Sequence, residues 1–281
     1  MPEIRGLLSC EPFTVVEFGE CHCLAGPYEP DPNVVLTIIT ISKGDQRGGV
    51  ATLASTQDLR ALRGVEHIVV DGDGSLREEA ESRGCCWVRQ AGTGISGAFN
   101  EGIALARGEW VWFLNGGDRM APELPPRFLV SLLQLSVADV LIGATRYEGA
   151  EKLTDHPPLL GRWPPVRPWI PHPSTLVRRQ LFAQFGSFDE RYRIAMDYEW
   201  WLRVLSSHVS ADVLSVPFSV FAGGGVSQRL ESKPLIADER DAAIRRHQIC
   251  LWRTILVSVV RFGRMWLVAC VAMLLPRSKR R

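Results

Sequence analysis

The apolar and polar positions of the chain first fall into a regular pattern at residue 34. The run Val34-Val35-Leu36-Thr37-Ile38-Ile39-Thr40-Ile41 is almost unbroken, apolar and β-branched, as in a strand covered on both faces of a parallel sheet. Ahead of it, residues 1–33 show no sustained period and several Pro and Gly, and read as a leader. Residues 50–62 fit a helix. Residues 66–70 read as a second strand ending at Asp71, residues 86–88 as a short third strand, residues 96–106 as a helix, and residues 109–114 as a fourth strand ending at Asn115. This alternation predicts an α/β fold, a Rossmann-like and mostly parallel sheet flanked by helices, with its ligand site beyond the strand C-termini. The polar clusters at 40–45, 71–75 and 115–118 all fall at that edge.

The pattern breaks at residues 156–173, which hold seven of the eighteen prolines together with Trp163 and Trp169. This reads as an irregular aromatic loop. It divides the domain, residues 34–250, into a first half (34–155) on the nucleotide side and a second (156–250) on the acceptor side. In the second half, residues 178–185 and 194–206 fit helices and residues 211–216 a strand. From Arg246 to Leu275 the pattern turns helical again, and at 100° per residue Arg246, Arg253 and Arg264 fall within about 20° of one another, so one face is basic. Residues 265–275 are wholly apolar, too short a run alone to cross a bilayer, which needs ~20 residues. An interfacial amphipathic helix followed by polybasic residues 277–281 is the expectation for the tail, residues 251–281, with packing against the body or a second subunit, or a span over residues 254–275, as the alternatives.

Charge sharpens this division. Beyond Asp241 there is no acidic residue and nine basic ones, which for a formal net charge of +1 leaves −8 on residues 1–241. An acidic body argues against nucleic acid as a partner, and the basic end points to an anionic membrane face. The 46% apolar and 22% charged composition is that of an ordinary globular chain. Seven cysteines form an odd set, and residues 1–13 lack a secretory pattern, so a reduced cytoplasmic setting follows, peripheral on the inner face of the membrane. Cys21-His22-Cys23 has its ligands too close together for a zinc site.

Chemistry concentrates at the strand ends. Asp118, in Asn115-Gly116-Gly117-Asp118, is placed to hold a divalent cation, Mn2+ or Mg2+, against a diphosphate leaving group, although the same residues also make a simple turn. Asp71-Gly72-Asp73-Gly74-Ser75 offers two carboxylates and a hydroxyl suited to a base and ribose, or again a turn. Asp197 begins an apolar helix, where it serves as a first-turn acid or as the general base that deprotonates an acceptor hydroxyl. His172 stands ahead of Pro173-Ser174 and is a candidate for the same pocket. Gly92-Thr93-Gly94-Ile95-Ser96-Gly97 matches the dinucleotide fingerprint, which keeps an NAD-dependent oxidoreductase in view. The fingerprint belongs to a first βα turn, however, and here two strands precede it.

Taken in order, these pieces resemble family 2 glycosyltransferases of the GT-A fold, the bacterial exopolysaccharide and surface-glycan branch in particular. The likeness spans about residues 35–250. It rests on Leu36-Thr37-Ile38-Ile39-Thr40, Glu66-His67-Ile68-Val69-Val70-Asp71-Gly72, Gly94-Ile95 with Ala98-Phe99-Asn100-Glu101-Gly102-Ile103, Ala106-Arg107-Gly108-Glu109-Trp110, Phe113-Leu114-Asn115-Gly116-Gly117-Asp118, His172-Pro173-Ser174-Thr175, Gly186-Ser187-Phe188-Asp189-Glu190, Met196-Asp197-Tyr198-Glu199 and Gly224-Gly225-Val226-Ser227. The resemblance implies an inverting transfer from a nucleotide-diphosphate sugar, a UDP-sugar first of all, to a glycan or polyprenyl-linked acceptor. Thr40 and Asp71 would then contact the base, Asp73 and Asn115 would complete the nucleotide side, Asp118 would bind metal and pyrophosphate, Asp197 would be the base and His172 would stand on the acceptor side. The chain departs from the family at Gly92, Gly97 and Gly117, where acidic residues are common. A catalytically weakened relative that only binds its ligand is the alternative this raises.

Overall fold

A computed structural model describes residues 31–149, 170–205, 207 and 209–247. The expected leader up to residue 30, most of the proline-rich loop and the amphipathic tail lie outside the described residues.

One eight-stranded sheet organises the chain, in the order β3-β2-β1-β4-β7-β6-β8-β5. β1 (Leu36–Ser42), β2 (Val65–Asp71), β3 (Cys86–Arg89) and β4 (Trp110–Asn115) are mutually parallel. Beyond β4 the sheet is mixed. β7 (Thr175–Arg178) runs antiparallel to both β4 and β6 (Val140–Tyr147), β8 (Ala211–Phe221) is parallel to β6, and the two-residue β5 (Arg119–Met120) is antiparallel to β8. The parallel expectation thus describes the first half of the sheet, whose crossovers carry helices. Helix expectations for 96–106 and 194–206 correspond to α4 (Gly94–Leu105) and α7 (Met196–Leu205).

Two expected helices differ in their bounds. The first is two helices, α1 (Gln46–Ser55) and α2 (Gln57–Arg60), parted at Thr56. Asp45 starts α1 by accepting the Gly48 N–H at 2.8 Å, a sequence-readable cap. The Thr56 hydroxyl turns back onto the Thr52 and Leu53 carbonyls, competing with the helical ladder. The second, expected from residue 178, is α6 (Gln180–Phe185), because Arg178 still belongs to β7, where it pairs with Trp110. α3 (Arg77–Ser82), α5 (Pro126–Leu135), β6, and α8 (Lys233–Arg246) complete the order.

Strand alternation explains the two cores. Leu36, Ile38, Trp110, Trp112 and Leu114 point to the face covered by α2 and α5, where they meet Leu59, Leu129 and Leu133. Ile39, Val111 and Phe113 point to the opposite face, toward α4, α6 and α7, where they meet Phe99, Phe182, Phe188 and Trp200. Gly102 lets α4 lie directly on β1, since a Cβ there would stand 2.4 Å from Ile39 Cγ2. The polar residues of the central strands are paired inside the protein. Thr37 donates to Glu66 at 2.5 Å, and Glu66 also receives the backbone N–H and guanidinium of Arg107. Thr40 lies 2.8 Å from His67 Nε2, with Thr56 Oγ1 3.3 Å from Nδ1.

Burial, aided by the nearby Arg60 charge, pushes the His67 pKa down to about 3. The unfolded chain therefore takes up a proton near pH 6.5 that the folded protein refuses until about pH 3, and stability falls as pH drops through that window. The expected loss attributable to His67 is about 2 kcal/mol between pH 7.5 and pH 5. Denaturant titrations of the wild type and His67→Gln at both pH values measure it: the gap between the two proteins should narrow by that amount at pH 5, and an unchanged gap contradicts the assignment.

Candidate functional site

Register brings the polar strand ends to one edge, with Ser42 opposite Asp71 and Ile41 opposite Asn115. Asp71 is fully buried there. One of its oxygens accepts the Leu76 N–H at 2.8 Å and the Trp87 indole N–H at 3.2 Å, and the other accepts the Asp73 N–H. It folds the loop after β2 and presents no surface to a ligand. Thr40 is equally buried, one layer below the edge, with its hydroxyl occupied by His67. Strand alternation is the reason, because residues 40 and 71 face α1 and α2 rather than the open edge. Asp73 is the exposed carboxylate of this group. It receives the Ser75 N–H at 3.2 Å and the Gly44 N–H at 2.6 Å, which joins the loops after β1 and β2. Hydrogen bonds from Ser75, then Gly44, hold its carboxyl down at about 2.

After β4 the chain turns through Gly117, at φ 104°, a conformation that favours glycine. The Thr52 hydroxyl fixes this turn from α1, accepting the Gly117 N–H at 2.9 Å and donating to the Asp118 carbonyl at 2.7 Å. Asp118 is 3% exposed. Its carboxylate receives Asn115 Nδ2 at 3.2 Å and the Ala222 N–H at 3.3 Å, the latter from the chain leaving β8. Burial pushes its carboxyl up to about 6, against the hydrogen bonds that favour the charged form. Asn115 is thus a holder of Asp118. Among the described residues no three His, Cys, Asp or Glu side chains gather into a metal cage. Magnesium-type sites nevertheless use one or two carboxylates and take their other ligands from substrate phosphate and water. Asp118 fits that minimal role once ionised; the next carboxylate, Asp45, has an oxygen 3.9 Å from where a Gly117 Cβ would stand.

On the other side of β8 lies a cavity of about 340 Å³, lined by Tyr147, His172, Asp197, Trp201, Phe221 and Arg240 among others. His172 stacks on Phe113 with centroids 5.2 Å apart and planes 17° from parallel. Its Nε2 is buried without a protein hydrogen bond. Burial lowers its pKa, and the Asp197 charge opposes that shift. Asp197 is half-buried in the first turn of α7, with one oxygen accepting the Tyr198 N–H at 2.7 Å. His172 and Asp197 therefore share one pocket as expected. Asp118 adjoins it through consecutive residues, since Phe221 lines the cavity while the next amide binds Asp118. Asp71 does not join them. A larger depression of about 610 Å³, beyond β5, is lined by Arg119, Glu123, Arg146 and Glu148 and includes none of the expected site residues.

The glycine-rich loop at 92–97 follows β3, and Glu101 fills the place a phosphate would take, accepting the Ala91 and Gly92 N–H groups at 3.1 and 2.7 Å. A carboxylate on those donors repels a pyrophosphate, which argues against the dinucleotide reading. Asn100 and Ser96 face the other way and tie α4 to the 186–192 segment, through Phe188 N–H and carbonyl and the Tyr192 carbonyl. Sequence reasoning passed over Asp45, Thr52, Tyr147, Ala222 and Arg240. Asp45 carried a capping signal; Ala222 acts through its backbone, and Tyr147 and Arg240 sit in segments without a motif.

The chain is similar to several known proteins. Two Mycobacterium tuberculosis proteins, each described as an uncharacterized glycosyltransferase, are 29% identical over 177 residues, covering 60% of this chain and 68% of theirs. Staphylococcus aureus TarS 1-349 in complex with UDP superposes with a TM-score of 0.57 at 17% identity, over 73% of this chain and 65% of that one. A complex of the same protein with UDP-GlcNAc has also been solved, and against a longer TarS chain the match spans only 37% of its length. Mannosyl-3-phosphoglycerate synthase from Rubrobacter xylanophilus gives 0.53 at 14% identity, over 76% and 74%. At such identities these structures speak for the fold. The family model for glycosyl transferase family 2 matches residues 50–195, more than half of the chain, a span that takes in Asp71, Asp118 and His172 and stops two residues short of Asp197. By that match the chain belongs to glycosyl transferase family 2.

Proposed function

We propose that this nucleotide-sugar glycosyltransferase inverts the anomeric centre as it moves a sugar from a UDP-sugar to a hydroxyl of a glycan or polyprenyl-linked acceptor in surface-polysaccharide synthesis. The observation that carries the reading is the pairing of Asp197 and His172 in one pocket, separated by the end of β8 from the buried carboxylate of Asp118. The UDP and UDP-GlcNAc complexes of TarS support the donor class.

In this mechanism the acceptor hydroxyl lies in the aromatic pocket and Asp197 takes its proton as the oxygen attacks the anomeric carbon. The bond from that carbon to the diphosphate oxygen breaks in the same displacement, so configuration inverts and the nucleoside diphosphate leaves. His172, kept neutral by burial, orients the acceptor by hydrogen bonding. On the donor side, Asp73 and the loops it joins form the exposed edge for base and ribose, with Thr40, Asp71 and Asn115 holding that edge from beneath. Asp118 would hold Mn2+ or Mg2+, which neutralises charge on the leaving diphosphate. The basic tail, residues 251–281, would keep the enzyme on the anionic inner face of the cytoplasmic membrane, close to a lipid-linked acceptor. Having glycine at position 117 favours a second reading, a donor-binding protein without turnover. UDP-sugar hydrolysis or transfer measured with and without Mn2+ separates the two.

Asp197→Asn is expected to lower transfer at least about 100-fold while donor affinity by calorimetry stays within twofold; loss of donor binding would move Asp197 to the donor side. Mn2+ affinity should be full above about pH 6 and fall about tenfold per pH unit below it, because Asp118 must lose its proton to ligate and does so only near 6. Asp118→Asn should lack both the affinity and its pH dependence, as read by Mn2+ titration in the presence of UDP.

A further inference from the structure

α7 carries Asp197 but has no cap of its own. Ala195 precedes it, and the backbone N–H groups at such a helix start need acceptors from elsewhere. The three amides that lead into the helix, at 193–195, find theirs on α8, more than forty residues on. The Glu239 carboxylate accepts the N–H of Arg193 at 2.6 Å, of Ile194 at 3.0 Å and of Ala195 at 2.8 Å. Glu239 is 7% exposed, and a carboxylate is stable at such burial only when hydrogen bonds replace its hydration. Three successive amides do so here.

The rest of α8 explains why this contact dominates. Its buried residues are Glu239 and Ala243, with Ala242 and Ile244 partly buried against the core, so a narrow apolar face does not fix the helix alone. Polar contacts do: His247 lies 2.7 Å from Glu199 of α7, and Arg246 pairs with Asp189 at 2.5 Å. Arg240, next to Glu239, lines the Asp197 pocket with its guanidinium over the Tyr198 ring.

We propose that Glu239 is a positioning residue for the transfer reaction, fixing the backbone at 193–195 so that the first turn of α7 presents Asp197 to the acceptor. This rests on Asp197 being the base. Glu239 touches no reacting atom, so its effect must pass through residue 197.

The test compares Glu239→Gln, Glu239→Asp, Asp197→Asn and the Glu239→Gln/Asp197→Asn double variant in the full chain. Glu239→Gln keeps one acceptor and sets an amide N–H against the remaining donors. Its kcat is expected to fall 10- to 100-fold with donor KM within twofold, and Glu239→Asp, which keeps the charge, should recover most of the rate. In the Asp197→Asn background Glu239→Gln should remove nothing further. A Glu239→Gln enzyme at wild-type kcat, a joint collapse of donor binding and rate, or a further loss in the double variant overturns the proposal. Full transfer by Asp197→Asn alone defeats the base assignment and the proposal with it, whereas an inactive Asp197→Asn beside a fully active Glu239→Gln defeats only the latter.

Discussion

β1 is hydrogen-bonded along both edges and covered on both faces, so each polar group it carries must find a partner within the protein. Thr37 finds Glu66 and Thr40 finds His67. These pairs join β1 to β2 with a single allowed register, because a slip by one residue would turn the hydroxyls into apolar surroundings and leave the carboxylate and imidazole alone. That register is what sets Ser42 beside Asp71 and Ile41 beside Asn115. The loop geometry of the donor edge is a consequence of pairing decided in the middle of the sheet.

The same reasoning separates what the sequence discloses from what it hides. Long apolar runs such as 34–41 and 109–114 announce buried strands, and carboxylates at their ends announce an edge. Direction is harder. Counting alternation from Leu36 puts Thr40 on the same covered face as Leu36 and Ile38, yet a family motif draws attention to Thr40 as a ligand contact. Asp71 offers the same lesson: a strand-end carboxylate has loop amides and an indole within reach, and here they use it up. His172 and Asp197 line one pocket, and Asp118 lies buried beside the chain leaving β8. Ala222 is invisible in principle, since any residue but proline supplies a backbone N–H. The mixed half of the sheet is hard to read because its strands pair far along the chain, as β7 does with β4, and because β5 is only two residues long.

Several residues that mark the family do structural duty. Arg107 is bound to Glu66, Asn100 to Phe188, and Glu101 to the amides at 91 and 92. Arg107 and Asn100 link segments distant in sequence, and Glu101 closes the loop ahead of its own helix. These motif residues thus hold loops and strands in place.

The amide that Ala222 lends to Asp118 has a bearing on modularity. The Asp118 carboxylate belongs to the first half of the chain, but part of its environment is main chain from the second half. Exchanging the second half of this chain for a foreign one would therefore keep that contact only if the incoming strand ended at the same height and turned the same N–H inward, which makes backbone path, rather than residue identity, the criterion for choosing a compatible half.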